Sequence, residues 1–267
     1  MKNKFFIGAT LFAAWVLVVA GCKKIDDYFH KDDLVVSGCD LATIETPWND
    51  DESNSYTTGV CTYNAVGQPV SIEFDRSCLS GSPAASYLFR YDAAQRLTDF
   101  IEACDTYFNR WHVYKYNGSG QIVLDSIYMK GNLDGNPPYE SDRDDLARYV
   151  AYTYDAKDRI ARAIEYIKAP NEGGGTTEYT DTTYYNYNSD GNLIRTGATY
   201  DDKINICRTN KIWMFINRDY SRNNYMAATS YNSKGLPLEF PTSYSNFPFS
   251  NVDTGTIKFT YNCHDSH

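Results

Sequence analysis

Aromatic and polar residues alternate in a short motif that returns along most of the chain. In its clearest copy, Tyr185 and Tyr187 flank one polar residue, Asn188 follows, Gly191 comes three positions later, and Leu193 opens the next apolar stretch. Residues two apart project from the same face of an extended strand. Asn accepts a hydrogen bond from the backbone two residues on, and Gly takes the positive φ of a tight turn. The motif therefore predicts a β-hairpin.

Degraded copies of this motif cover most of the chain from Tyr56 onwards. They are centred on Tyr63, Tyr91, Tyr116, Tyr154, Tyr187 and Tyr231, with a half copy at Tyr261. If the sheet curls and closes on itself, the tyrosines of the six full copies are expected to stack inward as the core. In two copies Gln95 and Asp158 stand at the glycine position, where a left-handed backbone costs about 1 kcal/mol, so those turns are expected to be less regular.

The gap between Tyr187 and Tyr231 is the longest in the array. It contains the apolar run Lys-Ile-Trp-Met-Phe-Ile at positions 211–216, which predicts a buried strand. With this strand included, the pattern predicts an all-β fold, an antiparallel sheet of hairpin repeats that is curled or partly closed.

The pattern Tyr-x-Tyr-Asn/Asp-x-x-Gly-x-Leu/Ile resembles the YD repeat of the RHS-repeat family, whose members build long, curling antiparallel sheets from such hairpins. The spacing between key tyrosines varies in this chain, which also lacks the long array and the toxin or protease region of large RHS proteins. The resemblance therefore implies a fold and not a toxin.

The first residues have the pattern of a secretory signal. Lys2 and Lys4 precede an apolar run at positions 5–20, and Val-Ala-Gly leads into Cys22. This resembles a bacterial lipobox, in which the cysteine is acylated and becomes the first residue of the mature chain. The alternative is a transmembrane helix, which needs about 20 apolar residues. Because Lys23 follows the cysteine, with no Asp directly after it, the resemblance favours the outer membrane of a Gram-negative bacterium, facing the periplasm or the surface.

The expected organisation follows from these two patterns. Residues 1–21 form the lipoprotein signal peptide, residues 22–34 a lipidated tether, and residues 35–267 a single β-repeat domain. Acyl chains on Cys22 would hold the protein in the lipid bilayer through buried methylene groups, so no basic patch is needed.

Charge and composition narrow the choice of partners. The formal net charge is −9, and loss of Lys2 and Lys4 with the signal peptide makes the mature chain more acidic. An acidic surface argues against nucleic acid as a partner. The 24 tyrosines and the aromatic fraction of 15% suit strands and tight turns.

Six cysteines remain in the mature chain after Cys22, and an even number in an exported protein indicates disulfides. Cys78 and Cys104 lie at similar offsets behind Tyr63 and Tyr91, so neighbouring repeats would bring them together. The remaining pairs are then Cys207 with Cys263 and Cys39 with Cys61. Free, buried thiols are the alternative. The sequence has no Cys-x-x-Cys motif, which disfavours a zinc site.

Catalytic motifs with a fixed spacing are missing from the sequence. His112 lies in the middle of a predicted strand without a Gly-x-Ser-x-Gly elbow, so a serine triad is disfavoured. No cofactor and no metal site are predicted. If part of the sheet stays open, its aromatic side chains form a platform for sugars or peptides, for which the candidates are Trp48, Trp111 and Trp213.

The sequence therefore predicts a non-enzymatic binding or structural lipoprotein, anchored in the outer membrane, with a cell-surface glycan or a protein as candidate partner. The alternatives are a surface glycan-binding protein and a carbohydrate-active hydrolase. Carboxylates that folding brings together cannot be recognised in one sequence. Two facing carboxylates in a concave cleft would favour the hydrolase.

Overall fold

The computed structural model describes residues 38–50, 53–76, 85–133, 148–170, 174–241, 249 and 255–264. All of them belong to the compact unit Val36–His267. The predicted signal peptide, tether and lipid attachment residue Cys22 lie outside the described residues.

Thirteen strands of the described residues form one antiparallel sheet. They are β1 (Cys39–Asp50), β2 (Ser53–Tyr63), β3 (Pro69–Phe74), β4 (Ser86–Tyr91), β5 (Leu97–Cys104), β6 (Tyr107–Tyr116), β7 (Ile122–Asn132), β8 (Arg148–Tyr154), β9 (Ile160–Pro170), β10 (Thr176–Tyr184), β11 (Ser230–Tyr231), β12 (Pro237–Pro241) and β13 (Thr256–Cys263).

Strands β1 to β10 pair in chain order, and β13 pairs with the other side of β1, followed by β12 and β11. Strands β10 and β11 are therefore the two edges, and the sheet is not closed. The predicted fold class, an all-β antiparallel sheet, is confirmed.

The hairpin turns owe their shape to one side chain. Around Asn188, the backbone N–H groups of Asp190 and Asn192 donate to Asn188 Oδ1 at 3.0 and 2.9 Å. The N–H of Gly191 donates to the Asn188 carbonyl at 3.1 Å, and Gly191 has a φ of 85°. The same contacts surround Asn64, Asn117 and Asn232.

The two turns without glycine are as regular as the others, so the expectation of irregular turns was wrong. Gln95 and Asp158 adopt φ values of 60° and 63°. Asp92 accepts from the backbone of Arg96 at 2.9 Å, and Asp155 from that of Arg159 at 3.0 Å. Each of these aspartates also forms an ion pair with the same arginine, at 2.7 and 2.6 Å. The added contacts offset the cost of the left-handed backbone.

The second tyrosine of most units ties neighbouring hairpins together. Its hydroxyl donates to a backbone carbonyl of the preceding hairpin at 2.7–2.8 Å, in the pairs Tyr63 to Leu41, Tyr91 to Pro69, Tyr116 to Leu97, Tyr154 to Ile122 and Tyr261 to Pro237. Burial raises the pKa of Tyr116 to about 12, so its hydroxyl remains a donor at neutral pH.

These second tyrosines are half-buried, and the expectation that they stack inward as the core was wrong. A buried hydroxyl must find an acceptor, which draws it towards the backbone of the next hairpin. The centre of the core is filled instead by the first aromatic residue of several units, at Phe89, Tyr114, Tyr152 and Phe259.

The run at positions 211–216 is not a strand but part of helix α1 (Lys211–Asn217), which corrects the prediction. Asn210 caps its N-terminus by accepting from the N–H of Ile212 at 3.0 Å. Arg218 ends it in a left-handed conformation, with a φ of 50°. A short apolar run cannot distinguish a buried helix from a buried strand, and here the cap favours the helix.

Helix α1 packs on one face of the sheet, which we name the concave face. Trp213 packs against Phe89 of β4 with ring centroids 5.4 Å apart. Phe215 packs against Tyr114 of β6 at 5.3 Å and Tyr152 of β8 at 5.5 Å. Strands β4 and β8 lie four strand intervals apart, about 19 Å in a flat sheet, whereas a helix of this length is about 10 Å long. The sheet therefore curls around the helix.

Candidate functional site

The predicted tryptophan platform is not formed by the described side chains. Trp111 is buried and donates from Nε1 to Asp99 Oδ1 at 2.6 Å, and Trp213 is fully buried. Trp111 precedes His112 in β6, and His112 faces the helix, so the two tryptophans lie on opposite faces of the sheet. The side chain of Trp48 lies outside the described residues.

The cysteine pairing differs from the predicted one. Cys39 and Cys263 lie opposite each other in β1 and β13 and form a disulfide. Cys61 and Cys207 are free and buried, so the pairs Cys39 with Cys61 and Cys207 with Cys263 were wrong. The sequence did not reveal that the last strand returns beside the first. Cys104 is also disulfide-bonded, and Cys78 lies outside the described residues.

A cleft of about 220 Å³ lies between α1 and the concave face of strands β5 to β8, and we name it the concave cleft. The residues that line it are Phe100, Glu102, Arg110, His112, Tyr114, Asp125, Ile127, Arg148, Tyr152, Phe215, Ile216 and Arg218.

Strand alternation and register place these side chains together. His112 lies opposite Phe100 on one side and opposite Ile127 on the other. Tyr114 lies opposite Asp125, one alternate position further along β6. Alternate residues of a strand share a face. Strands β6, β7 and β8 therefore direct His112, Asp125 and Tyr152 towards the helix.

A buried polar cluster forms the floor of the cleft. Asp125 accepts from His112 Nδ1 at 3.0 and 3.1 Å to its two oxygens, and from the Tyr152 hydroxyl at 3.4 Å. The Asp125 side chain is 3% exposed and that of His112 is 14% exposed. With Nδ1 facing a carboxylate, Nε2 is the ring nitrogen of His112 left to meet a ligand.

The hydroxyls of Tyr114 and Tyr152 are hydrogen-bond donors at neutral pH. Burial, with the nearby Asp125 and Tyr152, raises the pKa of the Tyr114 phenol. Burial also raises the pKa of Tyr152, although the guanidinium of Arg218 opposes the rise. Both hydroxyls therefore stay protonated and able to donate hydrogen bonds.

Arg218 closes the cleft at the end of α1. Its guanidinium carbon lies 5.2 Å from the centre of the Tyr152 ring, and the hydroxyls of Tyr152 and Tyr185 are its electrostatic neighbours. Burial lowers the pKa of Arg218, but Tyr152, Tyr185 and Asp125 raise it by more, so the guanidinium remains charged.

The other two arginines of the cleft are engaged in ion pairs. Arg110 Nη1 lies 3.2 Å from Glu102 Oε1, and Arg148 pairs with Glu165 of the neighbouring strand β9. In the part of the chain that the structure describes, no three His, Cys, Asp or Glu side chains are grouped so that they could hold a metal ion.

Sequence reasoning recognised only His112 among the polar residues of this cluster. Asp125 carried a usable signal, because it occupies an inward position of a strand whose other inward residues include Ile127, and a charge at such a position needs a partner. Tyr152 and Arg218 carried no such signal. Arg218 reaches the cleft only because the run before it is a helix.

The described residues contain no helix that is both long enough and apolar enough to cross a membrane. A comparison with protein-family models and a search of curated proteins found no match to this chain.

Proposed function

We propose that this chain is a non-catalytic binding lipoprotein, built from YD-like hairpins and anchored in an outer membrane through Cys22. The proposal rests chiefly on the concave cleft, which combines apolar walls with a few converging polar groups. Small-molecule sites in proteins have this composition. The cleft holds a small ligand, and the curled sheet keeps its polar groups in place.

The positions of the carboxylates favour binding over glycoside hydrolysis. Glu102 lies opposite Arg110, whereas Asp125 lies opposite Tyr114, four residues further along β6. This offset is about 13 Å along the strand, and two strand intervals add a sideways distance of about 10 Å. Glycosidases need two carboxyl groups about 5–9.5 Å apart. Both acids also have a partner, in Arg110 and His112.

Exposed tyrosines support a second candidate, the binding of a cell-surface glycan on the opposite face of the sheet. Tyr128 and Tyr149 are 42% and 40% exposed and follow cleft residues in their strands, so they face away from α1. The rings of Tyr149 and Tyr166 stack with centroids 4.5 Å apart. Tyrosines combine a large apolar ring with a polar hydroxyl, which suits sugar binding.

Filling the concave cleft tests the main proposal. We expect Ile216→Trp to weaken binding of any cleft ligand at least tenfold, because the indole occupies the ligand's space. Ile194, which is 63% exposed, offers the matched control Ile194→Trp, for which affinity should not change. Ligands are first identified by screening a small-molecule library and a glycan array, and affinities are then measured by calorimetry.

Three outcomes of this experiment are informative. Ligands that bind equally well to both variants would contradict a role for the cleft. If glycan binding were lost only in Tyr149→Ala, the exposed tyrosines would instead be supported as the binding site. A ligand recovered cleaved after incubation would contradict the non-catalytic role.

Replacing Cys22 by alanine tests the membrane anchor. We expect the variant to be absent from the outer-membrane fraction and to lose labelling by a palmitate analogue, because no thiol remains to be acylated. Free Cys61→Ala, in the body of the protein, is the matched control and should fractionate like the unaltered chain. Unchanged membrane association of Cys22→Ala would refute the anchor.

A further inference from the structure

Arg218 differs from the other arginines of the concave cleft in the charge of its partners. Arg110 and Arg148 each pair with a glutamate. Arg218 instead lies over the ring of Tyr152, and its polar neighbours are the hydroxyls of Tyr152 and Tyr185. Among the described residues, the ion pairs do not include Arg218.

A guanidinium removed from water and left without a carboxylate is costly, so charged groups inside proteins are usually paired. Asp125 is the acid that acts on Arg218, but only through its charge at longer range, and it is already hydrogen-bonded to His112. The cleft therefore presents a positive group that forms no ion pair with any side chain in the described part of the chain. An anion entering the cleft would supply such a partner.

The walls and the volume of the cleft indicate the size and the apolar character of the rest of the ligand. The rings of Phe100, Tyr114 and Phe215 and the side chain of Ile127 provide apolar walls beside the polar floor. A volume of about 220 Å³ corresponds to about seven water molecules at ~30 Å³ each, which is the size of one small ring with a side group. The planar fork of a guanidinium matches the two oxygens of a carboxylate.

We propose that the concave cleft binds a small organic carboxylate with a ring body, its carboxylate on Arg218 and its ring between Phe100 and Phe215. This inference rests on the proposed binding function and names its ligand class. His112 Nε2 provides a second polar contact, because Asp125 occupies Nδ1.

The test compares charged ligands with uncharged ones of the same shape on the purified full-length protein. Calorimetry is run with benzoate against benzamide, glucuronate against glucose, and inorganic phosphate. We expect at least one ring carboxylate to bind at least tenfold more tightly than its uncharged counterpart and than phosphate. Arg218→Gln should remove that preference, since a hydrogen bond to a charged group contributes about 1.5–3 kcal/mol, about 10- to 150-fold in affinity. Arg218→Lys should retain part of it.

Arg96→Gln is the matched control, because Arg96 is an exposed turn arginine paired with Asp92, and this variant should bind like the unaltered protein. If Arg218→Gln does not fold, Ile216→Asp adds a negative charge to the cleft wall and should weaken carboxylate binding but not amide binding. Equal affinity within both pairs, benzoate with benzamide and glucuronate with glucose, would overturn the ligand class while the cleft remains a binding site. The ligand class would also be overturned if phosphate bound more tightly than the ring carboxylates, or if neither Arg218→Gln nor Ile216→Asp changed carboxylate affinity. If no compound of the library binds the unaltered protein, the proposed function itself would be refuted.

Discussion

Replacing Trp213 by alanine is expected to lower the free energy of unfolding by about 3–5 kcal/mol, the range for removing a large aromatic side chain from a packed core. Trp213 is fully buried in α1 and packs against Phe89 and Phe249, with ring centroids 5.4 and 5.6 Å apart. Without the indole, a cavity opens between the helix and the sheet that curls around it. Urea unfolding followed by circular dichroism measures the change.

Lys211→Ala is the control for this variant, because Lys211 is an exposed residue of the same helix and its replacement should change stability by no more than about 0.5 kcal/mol. A loss below about 1 kcal/mol for Trp213→Ala would mean that the helix does not fill the concave face. The concave cleft would then lack one of its walls.

Removing the disulfide between Cys39 and Cys263 by a double substitution to alanine should cost about 2–5 kcal/mol. The two cysteines are separated by 224 positions, and a long closed loop restricts the unfolded chain most. The disulfide also joins the first and the last strand of the array. Unfolding by urea under non-reducing conditions measures the effect. Mutation is preferred to chemical reduction, because reduction would also break the disulfide of Cys104.

A matched control lies between the same two strands. The hydroxyls of Thr43 and Thr260 form a hydrogen bond of 2.6 Å across β1 and β13. Replacing both by valine removes a non-covalent contact at this junction and should cost less than about 1 kcal/mol. If both double variants lost the same small amount, the covalent link would not stabilise the array.

Much of the fold could be predicted from single hairpins, because their determinants lie within a few residues. Asn188 and Gly191 form their turn as the sequence indicates, and the tyrosines at positions 63 and 91 mark real strands. The irregularity expected at Gln95 failed to appear, because an ion pair from Asp92 to Arg96 supports that turn. This ion pair is also local, but its strength depends on side-chain geometry that the amino-acid sequence alone does not show.

The candidate site was much harder to predict, because its parts are far apart in the sequence. His112, Asp125 and Tyr152 meet through the register of three strands, and Arg218 joins them from the end of a helix. A shift of one residue in any of these strands would turn its side chain to the other face. Sequence reasoning could name His112 as a residue held by the fold but could not provide its partners.

By itself, the sequence determined that this chain forms antiparallel hairpins with asparagine or aspartate turns, because hydrogen bonds between near neighbours decide those turns. The tertiary structure alone decided that the last strand returns beside the first, that residues 211–217 form a helix, and that a charged cleft opens beneath it. These outcomes depend on contacts between distant segments, whose free energy is realised only when the whole sheet has curled around its core.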